Sequence, residues 1–182
     1  ALRSARRPAV ALSVLAPLRE RLHANRKQEE EIERALDVDG SVRDDASHAL
    51  RRVRRELRNA QGELVALLER IMHRLETHHQ VPDASVTVRN GRFVIPVRRE
   101  GRGAVGGIVH DTSGTGATVF VEPPAAIEAC NRIRELEAEE QREVDRILLA
   151  LTDGIRPDQP LMRDSLEALV LLDALFARAR YA

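Results

Sequence analysis

Four consecutive residues, His110-Asp111-Thr112-Ser113, carry the side-chain types of a hydrolytic site: an imidazole, a carboxylate and two hydroxyls. Such chemistry needs the imidazole on the nucleophile and the carboxylate on the other ring nitrogen. Successive side chains of a strand point to opposite faces, so neighbours in sequence do not meet in that order. The segment reads instead as a polar turn, in which Thr112 and Ser113, with Gly114 and Gly116, offer hydroxyls and backbone amides to phosphates. Gly101-Arg102-Gly103-Ala104-Val105-Gly106 matches the dinucleotide-binding pattern of spaced glycines. That pattern requires a helix to open at its end, whereas Gly107-Ile108-Val109-His110 continues as a strand, so these glycines read as a flexible loop at a sheet edge. His73, His78 and His79 lie close together with Glu76. Adjacent histidines on a helix diverge and the spacing to Glu76 is no established ligand pattern, so solvated histidines are expected and no metal site. Cys130 has no cysteine partner and reads as a small buried residue at a helix seam.

The arginines carry a stronger signal. Between residues 86 and 103 there are Arg89, Arg92, Arg98, Arg99 and Arg102 against Glu100, five positive charges to one negative. Arginine binds phosphate with two parallel hydrogen bonds, and the reading assigns an anion-binding role to these five residues with Thr112 and Ser113. Charges that guard strand edges against aggregation are the competing explanation. With Phe93 and Phe120 the aromatics nearby, stacking on single-stranded bases is poorly supported, and backbone or shape recognition is favoured.

What must position these residues is a chain of 182 residues with 43% hydrophobic and 32% charged residues, but only 2% aromatic. An aromatic-rich core is excluded, and aliphatic seams between long helices are favoured. Lys+Arg and Asp+Glu balance at 29 each, so total charge argues for no partner. Lys27 is the only lysine and follows no glycine-rich loop, which excludes a phosphate-binding loop of the Walker type. The longest apolar run, residues 166–177, is interrupted by Glu167 and Asp173 and is too short to span a membrane. The chain reads as soluble and cytoplasmic, and as a piece of something longer, since residue 1 is Ala and no leader pattern follows.

A helical pattern runs from Val10 to about Leu36, followed by turn chemistry at Asp37-Val38-Asp39-Gly40-Ser41, with Asp45 or Ser47 as the next helix cap. Leu50, Val53, Leu57, Ala60, Leu64, Leu67, Ile71 and Leu75 recur at spacings of three and four, predicting a helix from about Ala46 to His79. Four strands are expected at residues 86–89, 92–97, 107–110 and 117–121, with Asn90-Gly91 as a two-residue type I′ hairpin turn and Pro96 on an edge or at a bulge. After Pro123-Pro124, Ile127, Cys130, Ile133, Leu136, Val144, Ile147, Leu148 and Leu151 form a second long stripe, broken at residues 152–157. Leu161 to Ala182 is a last apolar helix expected to sit in a helical base. The first long helix carries Arg51, Arg52, Arg54, Arg55 and Arg58 against Glu56, whereas residues 123–153 carry four arginines against eight acids. The two helices can therefore pair by opposite charge as antiparallel arms, with the sheet at their tip.

The sequence also resembles a known family. Residues 89–97 (Arg-Asn-Gly-Arg-Phe-Val-Ile-Pro-Val), 106–111 (Gly-Gly-Ile-Val-His-Asp), Ser113 with 116–123 (Gly-Ala-Thr-Val-Phe-Val-Glu-Pro), and 131–136 (Asn-Arg-Ile-Arg-Glu-Leu) look like the core and clamp region of the second bacterial MutS type, the MutS homologue carrying a C-terminal Smr nuclease domain. Residues 37–40, 43–47 and 176–182 add to the likeness. The resemblance implies a mainly α fragment in which two long antiparallel, coiled-coil-like lever helices bracket a small antiparallel β clamp of about four strands. On that reading residues 1–45 are a helical core segment, 46–80 the first lever, 81–123 the clamp, 124–153 the second lever and 154–182 a second core segment. The parent is implied to be a homodimeric DNA-binding ATPase that uses ATP and Mg, suppresses homologous recombination on branched DNA and carries a separate endonuclease domain. The chain itself is expected to be no enzyme and to bind no cofactor, with duplex or branched DNA as partner and no membrane. The alternative is a ribosome- or protein-binding coiled-coil module, touching ribosomal RNA, that acts in rescue of stalled ribosomes.

Overall fold

The structure is a computed structural model that describes residues 15–181. Its elements run α1 (Ala16–Glu20), α2 (Arg26–Ala35), α3 (His48–Arg74), β1 (Thr87–Arg89), β2 (Arg92–Arg98), α4 (Arg102–Val105), β3 (Ile108–Thr112), β4 (Thr118–Glu122), α5 (Pro124–Ile155) and α6 (Gln159–Tyr181), with single 3₁₀ turns at Thr77–His79, Arg99–Gly101 and Arg156–Asp158. The chain is mainly helical with one small antiparallel sheet, and it divides into two compact units, Asp44–Asp145 and the two flanking segments.

In the first unit, Ser47 caps α3, its side chain accepting a hydrogen bond from the Leu50 backbone N–H at 3.0 Å. The helix then buries Leu50, Val53, Leu57, Leu64 and Leu68 at helical spacing. Leu68, rather than Leu67, takes the buried position, because a 3.6-residue period drifts against a strict three-and-four pattern. The helix ends at Arg74, five residues before the expected end, and the chain continues through Leu75 in an extended conformation into the 3₁₀ turn at residues 77–79.

All four expected strands form, in the spatial order β1-β2-β4-β3 and antiparallel throughout. Asn90 and Gly91 both hold positive φ (50° and 71°), the requirement of a type I′ turn, and β1 pairs with β2 from Thr87↔Val94 to Arg89↔Arg92. Pro96 lies in an interior strand rather than on an edge strand. It is tolerated there because the pairing of β1 stops at Val94, so one flank of β2 is left without a ladder strand at that position. The irregularity falls in β3 instead: Val109 pairs with Val121 and Asp111 with Phe120, leaving His110 as the extra residue of a bulge. Residues 101–106 are not a loop but the end of a 3₁₀ turn followed by the one-turn α4. Gly107 (φ 88°) lies so close to β4 that a Cβ would stand 2.1 Å from the Glu122 carbonyl oxygen, so any side chain there would displace β3.

One face of the sheet, Ile95 and Val97 on β2 with Val119 and Val121 on β4, packs with Leu57, Leu64 and Leu68 of α3 and Ala126, Cys130, Ile133 and Leu136 of α5. Aliphatic burial of this kind stabilises by roughly 1.5–3 kcal/mol per large side chain. Polar contacts continue the seam between α3 and α5: Ser47 Oγ with Glu143 (2.6 Å), Arg52 with Glu139 (3.1 Å), Arg54 with Glu140 (2.7 Å) and Glu56 with Arg132 (3.5 Å). From Ser47 to Glu56 the partners on α5 run back from Glu143 to Arg132.

In the second unit the expected continuous helix up to Leu36 is interrupted at residues 21–25; its part before residue 15 lies outside the described residues. Asn25 supplies the reason, restarting the helix by accepting a hydrogen bond from the Gln28 backbone N–H. The turn at 37–41 forms as its residues require, with Gly40 at φ 84° and Leu36 bridged to Val42. Gly154 does not end α5. It allows close packing, since a Cβ there would meet the Gln28 side chain at 2.6 Å. Ser165 of α6 accepts from the His23 backbone N–H (2.7 Å) and donates to the Arg21 carbonyl (2.9 Å), while Arg21 Nε donates to Asp164 at 2.8 Å. Among the described residues, α6 buries only Ser165 and Ala168. Leu166, Val170 and Phe176 are each about 60% exposed. No described helix is long and apolar enough to cross a membrane.

Candidate nucleic-acid interface

The tip arginines fall into two groups. Arg98 closes β2 and donates from Nε to the Gln80 carbonyl at 2.9 Å, leaving its remaining guanidinium N–H groups uncommitted. Arg99 follows in the 3₁₀ turn, its backbone N–H held by the Ala117 carbonyl at 3.0 Å, and Arg102 opens α4. All three are exposed, and among the described residues none has a carboxylate within ion-pairing distance. Arg98 pairs in register with Thr118, which places the backbone of Arg98 and Arg99 beside the turn joining β3 to β4. A Cβ on Gly116 in that turn would stand 3.7 Å from Arg99 Nη1.

Ser113 organises the turn. Its backbone N–H donates to the Thr118 carbonyl (2.9 Å), its hydroxyl accepts from the Thr118 backbone N–H (3.1 Å), and its carbonyl accepts from Gly116 (2.8 Å). The Ser113 and Thr115 hydroxyls approach to 3.4 Å, and Thr112 is exposed beside them. Exposed arginines without acid partners among the described residues, with the Arg99 guanidinium beside a turn bearing hydroxyls, make an arrangement that can take phosphate oxygens.

Arg89 and Arg92 are engaged within the fold. Arg89 Nε lies 3.2 Å from Asp111, and its guanidinium sits over the Phe120 ring, 4.4 Å from the centroid. Arg92 donates to Asn131 of α5 at 2.8 Å and lies 3.4 Å from Glu122, a carboxylate that is 1% exposed. The second Glu122 oxygen is 2.6 Å from His110 Nε2, the ring that the β3 bulge redirects. Glu122 therefore has a partner on each oxygen, as a buried carboxylate requires. Burial, reinforced by the neighbouring Glu122 carboxylate, pushes the Cys130 thiol up to about 11, so at neutral pH it is a packing residue and not a thiolate.

This network also disperses the hydrolytic side-chain types: His110 is taken by Glu122, Asp111 by Arg89 and Ser113 by the turn. Glu122, Asn131 and Gln80 join the site from outside the arginine and hydroxyl pattern. An acid ending the apolar run Val119-Phe120-Val121 is the available sign for Glu122; nothing in the local pattern marks the other two. Lys27 lies on α2 near Glu31 (3.9 Å), within a helix and not after a glycine turn.

Arginines on α3 behave differently from those at the tip. Arg54 bridges Asp44 (2.6 Å) and Glu140 (2.7 Å), and Arg52 joins Glu139. Hydrogen bonding from Arg54, aided by Arg58, holds the Asp44 carboxyl below its ordinary 3.8.

A long helix, a four-stranded antiparallel sheet and a second long helix define a helical module bearing a small sheet. No family model matches the chain. It is 62% identical over its whole length to Endonuclease MutS2 of Gemmatimonas aurantiaca, 40% identical over 92% of its length to Endonuclease MutS2 of a Geobacillus species, and 44% identical over 85% to that of Geobacillus thermodenitrificans. The chain is thus similar over nearly all its length to a segment of MutS2 proteins, and it spans about a fifth of the length of these relatives (20–22%).

Proposed function

We propose that this segment contacts nucleic acid through the arginine corner of its sheet, with duplex or branched DNA as the ligand, and that it serves a larger MutS2-type protein as its clamp. The observation that carries the reading is that the exposed Arg98, Arg99 and Arg102 have no acid partner among the described residues, with Arg99 beside the hydroxyl-bearing turn at Thr112 and Ser113. Arg89 and Arg92, at the other end of β2, are then residues that shape the sheet, their charge already facing Asp111 and Glu122. The helices α3 and α5 act as antiparallel levers; the opposed order of their polar pairs supports this. In the parent, an ATP- and Mg-dependent domain on a homodimer would move the levers, and suppression of recombination on branched DNA is the activity this serves.

The test is fluorescence anisotropy of labelled duplex and four-way-junction DNA with the chain and with Arg98→Gln/Arg99→Gln/Arg102→Gln, each at two salt concentrations. The triple variant should bind at least about tenfold more weakly, with a salt slope shallower by about 0.9 for each phosphate that is no longer neutralised. Unchanged affinity and slope would remove the corner as the DNA-binding surface. A ribosomal RNA hairpin that outcompetes both DNAs through the same arginines would shift the target to the ribosome.

A further inference from the structure

We propose a divalent transition-metal site formed by Glu76, His78 and His79, just after α3. One carboxylate oxygen and one ring nitrogen from each histidine lie within 4.8 Å of one another, although the pattern Glu-Thr-His-His matches no familiar ligand spacing. The geometry arises because these residues do not continue α3. Glu76 precedes the 3₁₀ turn Thr77–His79 in an extended conformation (ψ 144°), and the turn brings residues i, i+2 and i+3 to one side. The two imidazoles converge, with ring centroids 3.9 Å apart and planes tilted by 51°, and His78 Nδ1 is 3.3 Å from the Glu76 carboxylate.

Two further features prepare the site. His79 Nδ1 is buried and has no hydrogen-bond partner among the described residues, so the fold has not committed that ring to a protein acceptor. The ring is nonetheless fixed in place: Gly101 packs against it so closely that a Cβ would stand 2.5 Å from His79 Cβ. Glu76 and His78, by contrast, are largely exposed and open to an incoming ion. Two imidazoles and one carboxylate form the borderline donor set that suits Zn²⁺, with Co²⁺ as its spectroscopic substitute, and three protein ligands leave a position for water. The ion would pin the turn after α3 against the 3₁₀ turn that carries Arg99.

The experiment uses the tag-free chain stripped with chelator. Zn²⁺ alone is titrated by calorimetry, and Co²⁺ is followed by its visible absorption. One equivalent should bind at pH 7.5. His78→Ala should weaken binding by about 100-fold and Glu76→Gln by about tenfold, in the range seen when metal-site partners are removed. Both residues are exposed, and circular dichroism will confirm that the variants fold. His73→Ala, altering an exposed histidine outside the group, should leave binding unchanged. Wild-type affinity in both His78→Ala and Glu76→Gln, or loss of binding in His73→Ala, would overturn the site.

Discussion

The same residue type performs opposite tasks in two regions of the 44–145 unit. On α3, Arg52 and Arg54 face Glu139 and Glu140 of α5, and Arg54 also faces Asp44, so their charge is used in holding helices together. At the end of β2, Arg98, Arg99 and Arg102 face no carboxylate among the described residues, and their charge remains available to a ligand. Arg92 stands between these cases, a tip arginine whose partner is the buried Glu122. Counting arginines along the sequence cannot separate these roles, because an ion pair is decided by what another element brings opposite.

The largest test of this division is at Glu122. Replacing it with Gln leaves Arg92 and His110 without their shared acid in a buried setting, which should cost about 3–5 kcal/mol, read as a lower urea midpoint. A decrease under about 1 kcal/mol would mean that Arg92 belongs with the unpaired arginines. Next in size is the contrast in ligand binding. Arg98→Gln/Arg99→Gln/Arg102→Gln should weaken DNA binding at least about tenfold, whereas Arg52→Gln/Arg54→Gln should change it less than about twofold. Equal weakening would dissolve the distinction and point to overall charge.

The reverse experiment concerns stability. Arg54→Ala should lower it by about 1 kcal/mol, in line with partly exposed, hydrogen-bonded ion pairs, while Arg102→Ala should stay within about 0.5 kcal/mol. Thermal melting distinguishes the two. The smallest effect is that of acid. Arg54 depresses the folded-state value of Asp44 below its unfolded value of 3.8, so the stabilisation it contributes is present above 3.8 and disappears as pH falls through the lower, folded value. On acidification from pH 7 to pH 3, stability should therefore decline less in Asp44→Asn than in the unaltered chain; an identical decline would show that the pairing with Arg54 contributes nothing in solution.

Much of the local structure is written in residue types. The Asn90-Gly91 turn, the Ser47 cap, the four strands and the buried stripes of α3 and α5 follow from spacing and backbone preference, which act over a few residues. The early end of α3 is hidden because apolar spacing continues past Arg74 to Leu75, and the interruption before Asn25 because residues 23–31 carry a single apolar residue, Ala24, and so mark no period. The likeness to MutS2 proteins is likewise legible, carried by runs such as 116–123.

The site divides along the same line. Sequence by itself placed five arginines and a hydroxyl-bearing turn in one small sheet. Tertiary structure alone decided that Arg89 and Arg92 face acids while Arg98, Arg99 and Arg102 do not, that a bulge turns His110 onto Glu122, and that Glu76, His78 and His79 converge after α3. Turns and stripes obey short-range periodicity, whereas the charge a residue presents depends on partners 22 to 86 positions away, as in Arg89–Asp111 and Arg54–Glu140, which only the packed chain brings within reach.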